Sequence, residues 1–133
     1  MGLIIDTGVI IVWERTGRAL DLGKWSAYGE AAISVVTASE LLVGVWRADS
    51  DDRRKTRSAF VEGILVAMPI KDITLEIARR HAEIFAFLAV RGIQIGAHDL
   101  LIAATALHHG CAVLTTNPAE FARVPGLQVM DLL

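Results

Sequence analysis

Short runs of branched apolar residues alternate along the chain with longer stretches in which apolar residues recur at helical spacing. The runs typical of buried strands are Leu3–Ile5, Ala32–Val36, Ala112–Thr115 and Leu127–Met130, with Met68–Ile70 as a shorter candidate. Strands that are apolar almost throughout must be covered on both faces. The pattern therefore predicts an α/β domain with a mostly parallel central sheet flanked by helices.

Four helices are predicted between these strands, over residues of approximately 37–48, 49–66, 72–91 and 98–109. The first opens on Thr37-Ala38-Ser39-Glu40, a capping-box pattern in which the Glu reaches back to the backbone of the cap. The third is predicted to be the longest. Gly110 is a suitable residue just past the end of the fourth. An earlier helical region contains Val9–Trp13, a run too apolar for a short helix that faces water.

The composition fits a single domain spanning residues 1–133 with an aliphatic core, since 53% of the residues are hydrophobic and only 6% are aromatic. No apolar run approaches the roughly 18 residues that span a bilayer. A buried sheet and a partner-covered surface explain the hydrophobicity better than a membrane does. The first strand begins at Leu3, so no signal peptide is expected. The lone Cys111 argues against a disulfide framework and a cysteine-rich zinc site, and indicates a reducing cytoplasm.

Three acidic residues lie beside apolar segments, where a carboxylate is costly to desolvate. Asp6 ends one apolar run, and Glu40 and Asp99 each open another. Each acid also has a structural explanation: a turn for Asp6, a capping box for Glu40 and a favourable helix start for Asp99. All three explanations would have to hold independently. We therefore expect one shared site that holds a divalent metal.

The predicted sheet gives these residues a common place. Asp6, Thr37–Glu40 and Thr115–Asn117 all follow strands, and the carboxyl ends of parallel strands form the site in open α/β sheets. Asp99 comes from the first turn of a helix that must dock at the same edge. A ligand set of oxygen atoms favours Mg²⁺, with Mn²⁺ as a substitute, over zinc. Such a site suits phosphodiester hydrolysis.

Four segments combine into a recognisable set of motifs: Leu3–Thr7, Thr37–Leu41, His98–Ala106 and Leu114–Phe121. Together they resemble the motifs of PIN-domain ribonucleases, most closely the VapC toxins of bacterial type II toxin–antitoxin pairs. The resemblance runs from Leu3 to Val129, and its most specific part is Asp99 with the Leu/Ile/Ala series that follows it. It implies a PIN-like three-layer α/β/α sandwich.

Carried over residue by residue, the resemblance implies that Asp6, Glu40 and Asp99 bind the metal and carry catalysis. The family's fourth position, often Asp, falls here on Asn117. An amide offers a carbonyl oxygen but no negative charge, which leaves open whether one metal or two are bound. Glu120 partly compensates for the missing negative charge if its side chain turns inward, although an exposed helical Glu is the favoured interpretation.

The mechanism expected from these roles is metal-dependent cleavage of RNA. Mg²⁺ held by Asp6 and Asp99 polarises the scissile phosphate and activates a water molecule, and Glu40 completes the metal shell or orients that water. Thr7 and Thr115 have hydroxyls placed to orient a carboxylate or a phosphate. Alternatively, they are ordinary turn and strand-end residues.

The net charge of −2 gives no global attraction to nucleic acid, so RNA contacts must come from local basic clusters. Arg53, Arg54 and Arg57 form the densest one and are the RNA-binding candidates. Alternatively, they pair with the acidic residues just before them on a solvated helix face. His98 either contacts a phosphate or is a solvated residue near the helix start.

The resemblance also implies partners. A cognate VapB-type antitoxin would lay its C-terminal helix or strand in an apolar groove and block the metal site, and the toxin would form a homodimer within a larger complex. Part of the early helical region is the candidate groove, and burial of Trp13 in the core is the alternative.

Other functions fit less well. Asp6-Thr7-Gly8 also resembles the aspartic-protease motif, but those enzymes are almost entirely β. A receiver domain would need an acidic neighbour beside Asp6 and a late Lys, and the sequence has neither. A PIN-like module that binds RNA or protein without cleavage stays open because of Asn117.

Overall fold

The computed structural model describes residues 2–18, 23 and 27–132. Its strands are separated by one or two helices, as the apolar pattern predicts. In chain order they are β1 (Gly2–Ile5), α1 (Thr7–Thr16), β2 (Glu30–Ser34), α2 (Val35–Trp46), α3 (Asp51–Ala67), β3 (Ile70–Lys71), α4 (Leu75–Val90), α5 (Ala97–His109), β4 (Ala112–Thr115), α6 (Pro118–Phe121) and β5 (Val129–Asp131).

The five strands form one sheet in the order β3-β2-β1-β4-β5, and every pairing is parallel. β1 lies at the centre, where Leu3 is paired with Ala31 of β2 on one side and with Ala112 of β4 on the other. All residues of β1 and β4 are buried. The predicted parallel sheet is confirmed, and its carboxyl edge carries the ends of β1 and β4 side by side.

Successive residues of β1 point to opposite faces of the sheet and so belong to two separate cores. Leu3 and Ile5 pack with side chains from α1, α2 and α3, whereas Ile4 packs with side chains from α4, α5 and α6. Phe121 of α6 is fully buried in the second core. This is the three-layer α/β/α sandwich that was expected. Within the described ranges, no helix is long and apolar enough to cross a bilayer.

The start of α2 differs from the prediction. The Ser34 side chain accepts a hydrogen bond from the Val36 N–H at 3.1 Å, so Ser34 caps the helix and β2 ends there rather than at Val36. Thr37 therefore lies inside the first turn and is fully buried, and the capping-box interpretation of Thr37 and Glu40 is wrong. Both Ser34 and Thr37 have capping chemistry, and the fold uses the earlier one.

Other elements also differ from the prediction. α4 begins only after Thr74, whose side chain caps it, and with 16 residues it is shorter than α3, which has 17. The last strand starts at Val129 instead of Leu127. The short α6 was not predicted; it begins at Pro118, a favourable residue for a first helical position.

Candidate active site

Asp6 leaves the end of β1 and enters the start of α1, which places its carboxylate at the carboxyl edge of the sheet. The Thr7 backbone N–H donates to Oδ1 and the Thr115 hydroxyl at the end of β4 donates to Oδ2, both at 2.8 Å. Asp6 is only 7% exposed. Among the described residues no Lys or Arg forms an ion pair with it. Asp6 is therefore a fixed, buried carboxylate compensated only by hydrogen bonds.

Glu40 is held from the same side by Thr7. The Thr7 hydroxyl donates to Glu40 Oε1 at 2.8 Å. The Thr37 hydroxyl oxygen lies 3.0 Å from the Thr7 hydroxyl oxygen. Glu40 Oε2 lies 3.5 Å from His98 Nδ1 at the start of α5. Thr7 thus donates one hydrogen bond to Asp6 through its backbone N–H and another to Glu40 through its hydroxyl, so it is more than an ordinary turn residue.

Asp99 and Glu120 meet beside Gly96, the residue that precedes α5. A Cβ at Gly96 would lie 3.6 Å from Asp99 Oδ2 and 3.7 Å from Glu120 Oε1. The Gly96 N–H and the Asn117 side-chain amide each donate to Glu120 at 2.9 Å. Glu120 therefore turns inward, and the favoured interpretation of it as an exposed helical Glu is wrong. The signal was its position three residues after Asn117, across the single turn that Pro118 begins.

The site gathers negative charge. The pKa of Asp99 is raised to about 7, first by burial and then by the charges of Asp6, Glu120 and Glu40, with a hydrogen bond to Glu120 adding to the rise. Burial also raises the pKa of Asp6; the hydrogen bonds from Thr115 and Thr7 oppose this rise, whereas the charges of Glu40 and Glu120 add to it. The four carboxylates therefore repel one another electrostatically, and a cation placed among them would reduce this repulsion.

The donor set fits a hydrated hard cation better than a closed metal cage. The described ranges contain no group of three His, Cys, Asp or Glu side chains arranged to hold a metal ion. Mg²⁺ does not require such a group, because it keeps several waters and often binds through only one or two carboxylates. The excess of carboxylate oxygen and the raised pKa values of Asp6 and Asp99 agree with that mode. The ligand set itself stays a prediction.

Asn117 contacts the site through its nitrogen atoms, and its role as a metal ligand through the amide oxygen stays a prediction. Its amide nitrogen donates to Glu120, and its backbone N–H donates to the Thr115 hydroxyl at 2.9 Å. Thr115 in turn donates to Asp6. Asn117 therefore links two carboxylates of the site, and an ionised Asp side chain could not donate the bond to Glu120.

The basic candidates divide into two groups. Arg53 pairs with Asp49 at 3.1 Å and Arg54 with Asp51 at 3.0 Å, both between helix neighbours that include strongly exposed side chains. Such pairs contribute little stability, and they match the alternative in which the cluster is a solvated helix face. Contact of either residue with RNA stays a prediction.

Arg57 lies apart from these two and closer to the acidic site. Its Nε lies 3.4 Å from Glu14 Oε1, and another guanidinium nitrogen donates to the Gly44 carbonyl oxygen at 3.1 Å. Arg57 and Glu40 line the same cavity of about 180 Å³, between α1, α2 and α3. Phe60 forms one wall, and the Trp13 ring meets it edge-on at 5.8 Å between ring centres. Trp13 is thus packed against α3.

Known proteins are similar to this chain over nearly its whole length. The PIN domain family model matches residues 3–127. Ribonuclease VapC1 of Rickettsia felis is 42% identical over 132 residues, 99% of this chain and 97% of the relative. The tRNA(fMet)-specific endonuclease VapC of Shigella flexneri is 33% identical over 129 residues, 96% of each chain. A solved structure, DNA-bound VapBC from Salmonella typhimurium, superposes with a TM-score of 0.86 at 27% identity over 98% of both chains.

Proposed function

This chain belongs to the PIN-domain family and, within it, to the VapC ribonucleases, and from that premise we propose that it cleaves RNA phosphodiester bonds with the help of Mg²⁺ or Mn²⁺. The single observation that carries the proposal is the cluster of Asp6, Glu40, Asp99 and Glu120. Four carboxylates act on one another at the sheet edge, and the described residues place no Lys or Arg in an ion pair with any of them.

Asp6 and Asp99 are the residues that would hold the cation, with Glu120 beside Asp99. When bound, the cation supplies positive charge for the phosphoryl oxygens and makes an attacking water more acidic. The two hydrogen bonds to Asp6 oppose the rise in its pKa that burial causes, and they fix the direction of the carboxylate. The Thr7 hydroxyl donates to Glu40, and in this proposal Glu40 orients the attacking water and accepts its proton.

A VapB-type antitoxin is the partner that the comparison with a VapBC complex supports. The chain also has apolar surface for a partner to cover: Val43 of α2 is 49% exposed and Trp46 is 75% exposed. We propose that antitoxin binding covers the site and that the toxin forms a homodimer within the larger complex. Size-exclusion chromatography with light scattering, on the toxin alone and with its antitoxin, measures both assemblies.

The activity is tested on the purified toxin with an initiator tRNA and a longer structured RNA, each with EDTA or added Mg²⁺. We expect cleavage only with the metal, its loss in Asp6→Asn and Asp99→Asn, and a decrease in kcat of about 100-fold in Glu40→Gln. Glu62→Gln, an exposed residue of α3, is the charge-matched control. Metal-stimulated cleavage that persists unchanged in both Asn variants would contradict the assignment of the site.

The alternative function is a PIN-like module that binds RNA or protein without cleavage, and Asn117 is the feature that favours it. Glu120 weakens this alternative, because it brings a carboxylate to the place where Asn117 brings none. RNA binding without any metal-stimulated cleavage, in a preparation whose fold is confirmed by circular dichroism, would support the alternative.

A further inference from the structure

The cavity that Arg57 and Glu40 share has the size and walls of a binding site for a flat ring. Its volume is about 180 Å³, and an apolar cavity of about 150 Å³ is enough to bind benzene. Ile10 and Leu41 are buried side chains in its wall, and Phe60 adds an aromatic ring. The cavity is open on one side, and Glu40 connects it to the acidic site.

Charged groups at the cavity offer donors and acceptors next to each other. Arg57 and Glu14 form an ion pair at 3.4 Å, with side chains that are 40% and 27% exposed. The described contacts of Arg57, with Glu14 and with the Gly44 carbonyl, engage two of the five N–H groups of a guanidinium. A ligand that enters the cavity therefore meets guanidinium donors beside a carboxylate acceptor.

We propose that this cavity is a guanine pocket, which takes a guanine base of the RNA substrate next to the cleaved phosphodiester. The inference rests on the proposed ribonuclease function. Guanine carries two adjacent acceptors, O6 and N7, which suit the Arg57 fork, and N–H groups on the neighbouring edge, which suit the Glu14 carboxylate. Bases splayed out of single-stranded RNA are held by such side-chain contacts and by stacking on rings such as Phe60.

The same groups disfavour other occupants. Adenine presents an amino donor where guanine presents O6, so the Arg57 fork would lose one of its two acceptors. A backbone phosphate would meet Glu14 and Glu40 as well as Arg57 and Arg15, so the cavity offers an anion no net positive charge. A flat base with acceptors on one edge and donors on the next can pair with the positive Arg57 and with the negative Glu14 at once.

The test compares cleavage of matched single-stranded RNAs that differ by guanine, adenine, cytosine or uracil on either side of the cleaved bond. The wild-type toxin, free of antitoxin and with Mg²⁺, is expected to prefer one guanine position. Arg57→Ala and Glu14→Gln should each reduce that preference roughly ten-fold, as expected for loss of one bidentate contact, mainly through KM. Arg80→Ala, on the exposed surface of α4, is the charge-matched control and should keep the preference.

Other outcomes separate this inference from the proposed function. Cleavage that is metal-dependent but equal for all four bases would overturn the guanine pocket and leave the ribonuclease intact. A decrease in Arg57→Ala that is uniform over all sequences would assign Arg57 to the phosphate backbone. Unchanged cleavage in Arg57→Ala, together with weaker inhibition by the antitoxin, would assign the cavity to the protein partner.

A binding measurement keeps the inference testable even if no RNA is cleaved. Short 2′-O-methyl oligonucleotides that differ only in one guanine or adenine are titrated into the wild-type protein in EDTA by calorimetry. Tighter binding of the guanine oligonucleotide, lost in Arg57→Ala and kept in Arg80→Ala, supports the pocket. Equal binding of the two oligonucleotides by the wild type overturns it.

Discussion

Asp99→Asn should make the metal-free protein more stable while it removes activity. The pKa of Asp99 is raised from 3.8 to about 7, so the folded protein binds this proton more tightly than the unfolded chain does. Ionisation of Asp99 therefore lowers the free energy of unfolding. The cost is absent below about pH 4, grows as the pH rises to about 7, and is fully present above that. Asn carries no charge at any of these pH values, and its amide can still donate to Glu120.

The size of this effect on the free energy of unfolding follows from the rise in the Asp99 pKa. An increase from 3.8 to about 7 is roughly three pH units, which at about 1.4 kcal/mol each sets a ceiling near 4 kcal/mol. Asp99 is only partly buried, and water and salt screen the like charges around it. We therefore expect Asp99→Asn to raise the free energy of unfolding by about 1 to 2 kcal/mol at pH 8 and to leave it nearly unchanged at about pH 4.

Urea unfolding in EDTA at several pH values between 4 and 8 measures this difference. Asp51→Asn is the control, because it removes an equally negative but exposed side chain and should change the free energy by no more than about 0.5 kcal/mol at any pH. Added Mg²⁺ should stabilise the wild type, by about 2.7 kcal/mol at 100 times its dissociation constant, and should stabilise Asp99→Asn much less. An Asp99→Asn variant that unfolds at the same or lower urea concentration as the wild type at pH 8 would refute the like-charge account.

Two further predictions concern the groups that support the site. Thr115→Val removes the hydroxyl that donates to Asp6, so the pKa of Asp6 should rise further and the acidic limb of the pH–activity profile should move to higher pH. The free energy of unfolding should fall by about 1 to 3 kcal/mol. An unchanged pH–activity profile would contradict this role of Thr115. Gly8→Ala places a Cβ 2.7 Å from the Thr116 hydroxyl oxygen and should destabilise by about 1 to 3 kcal/mol in thermal unfolding, whereas Gly63→Ala, which has open space around its Cβ, should stabilise by about 0.5 to 1 kcal/mol.

The sheet was predictable because its signal is local. Each strand is a short apolar run, and the buried pattern of β1 and β4 leaves no solvent face, so a parallel sheet between helix layers was the consistent solution. The helix ends that were predicted well have their own local signals, such as Gly110, which adopts a left-handed conformation with φ of 65°.

The errors have the opposite cause, because tertiary contacts decided them. Ser34 and Thr37 both have the chemistry of a cap, and the capping box at Thr37 was locally the better pattern. The fold places Thr37 against Thr7 instead, 30 residues earlier in the chain, and Thr7 takes Glu40 as its acceptor. No spacing within α2 carries that information, so the role of Glu40 was predicted from its apolar neighbours and from the family resemblance, not from its helix position.

Asn117 shows why the charge of the site could not be counted from the motif alone. The motif suggests a lost carboxylate, since Asn stands where an acid is often found. In the structure the Asn117 amide donates to Glu120, and this carboxylate acts on both Asp6 and Asp99. An Asp at this position would repel Glu120 instead of holding it, because a carboxylate cannot donate a hydrogen bond. Counting acids at the motif position alone therefore misses Glu120, three residues further along the chain, and the site contains four interacting carboxylates.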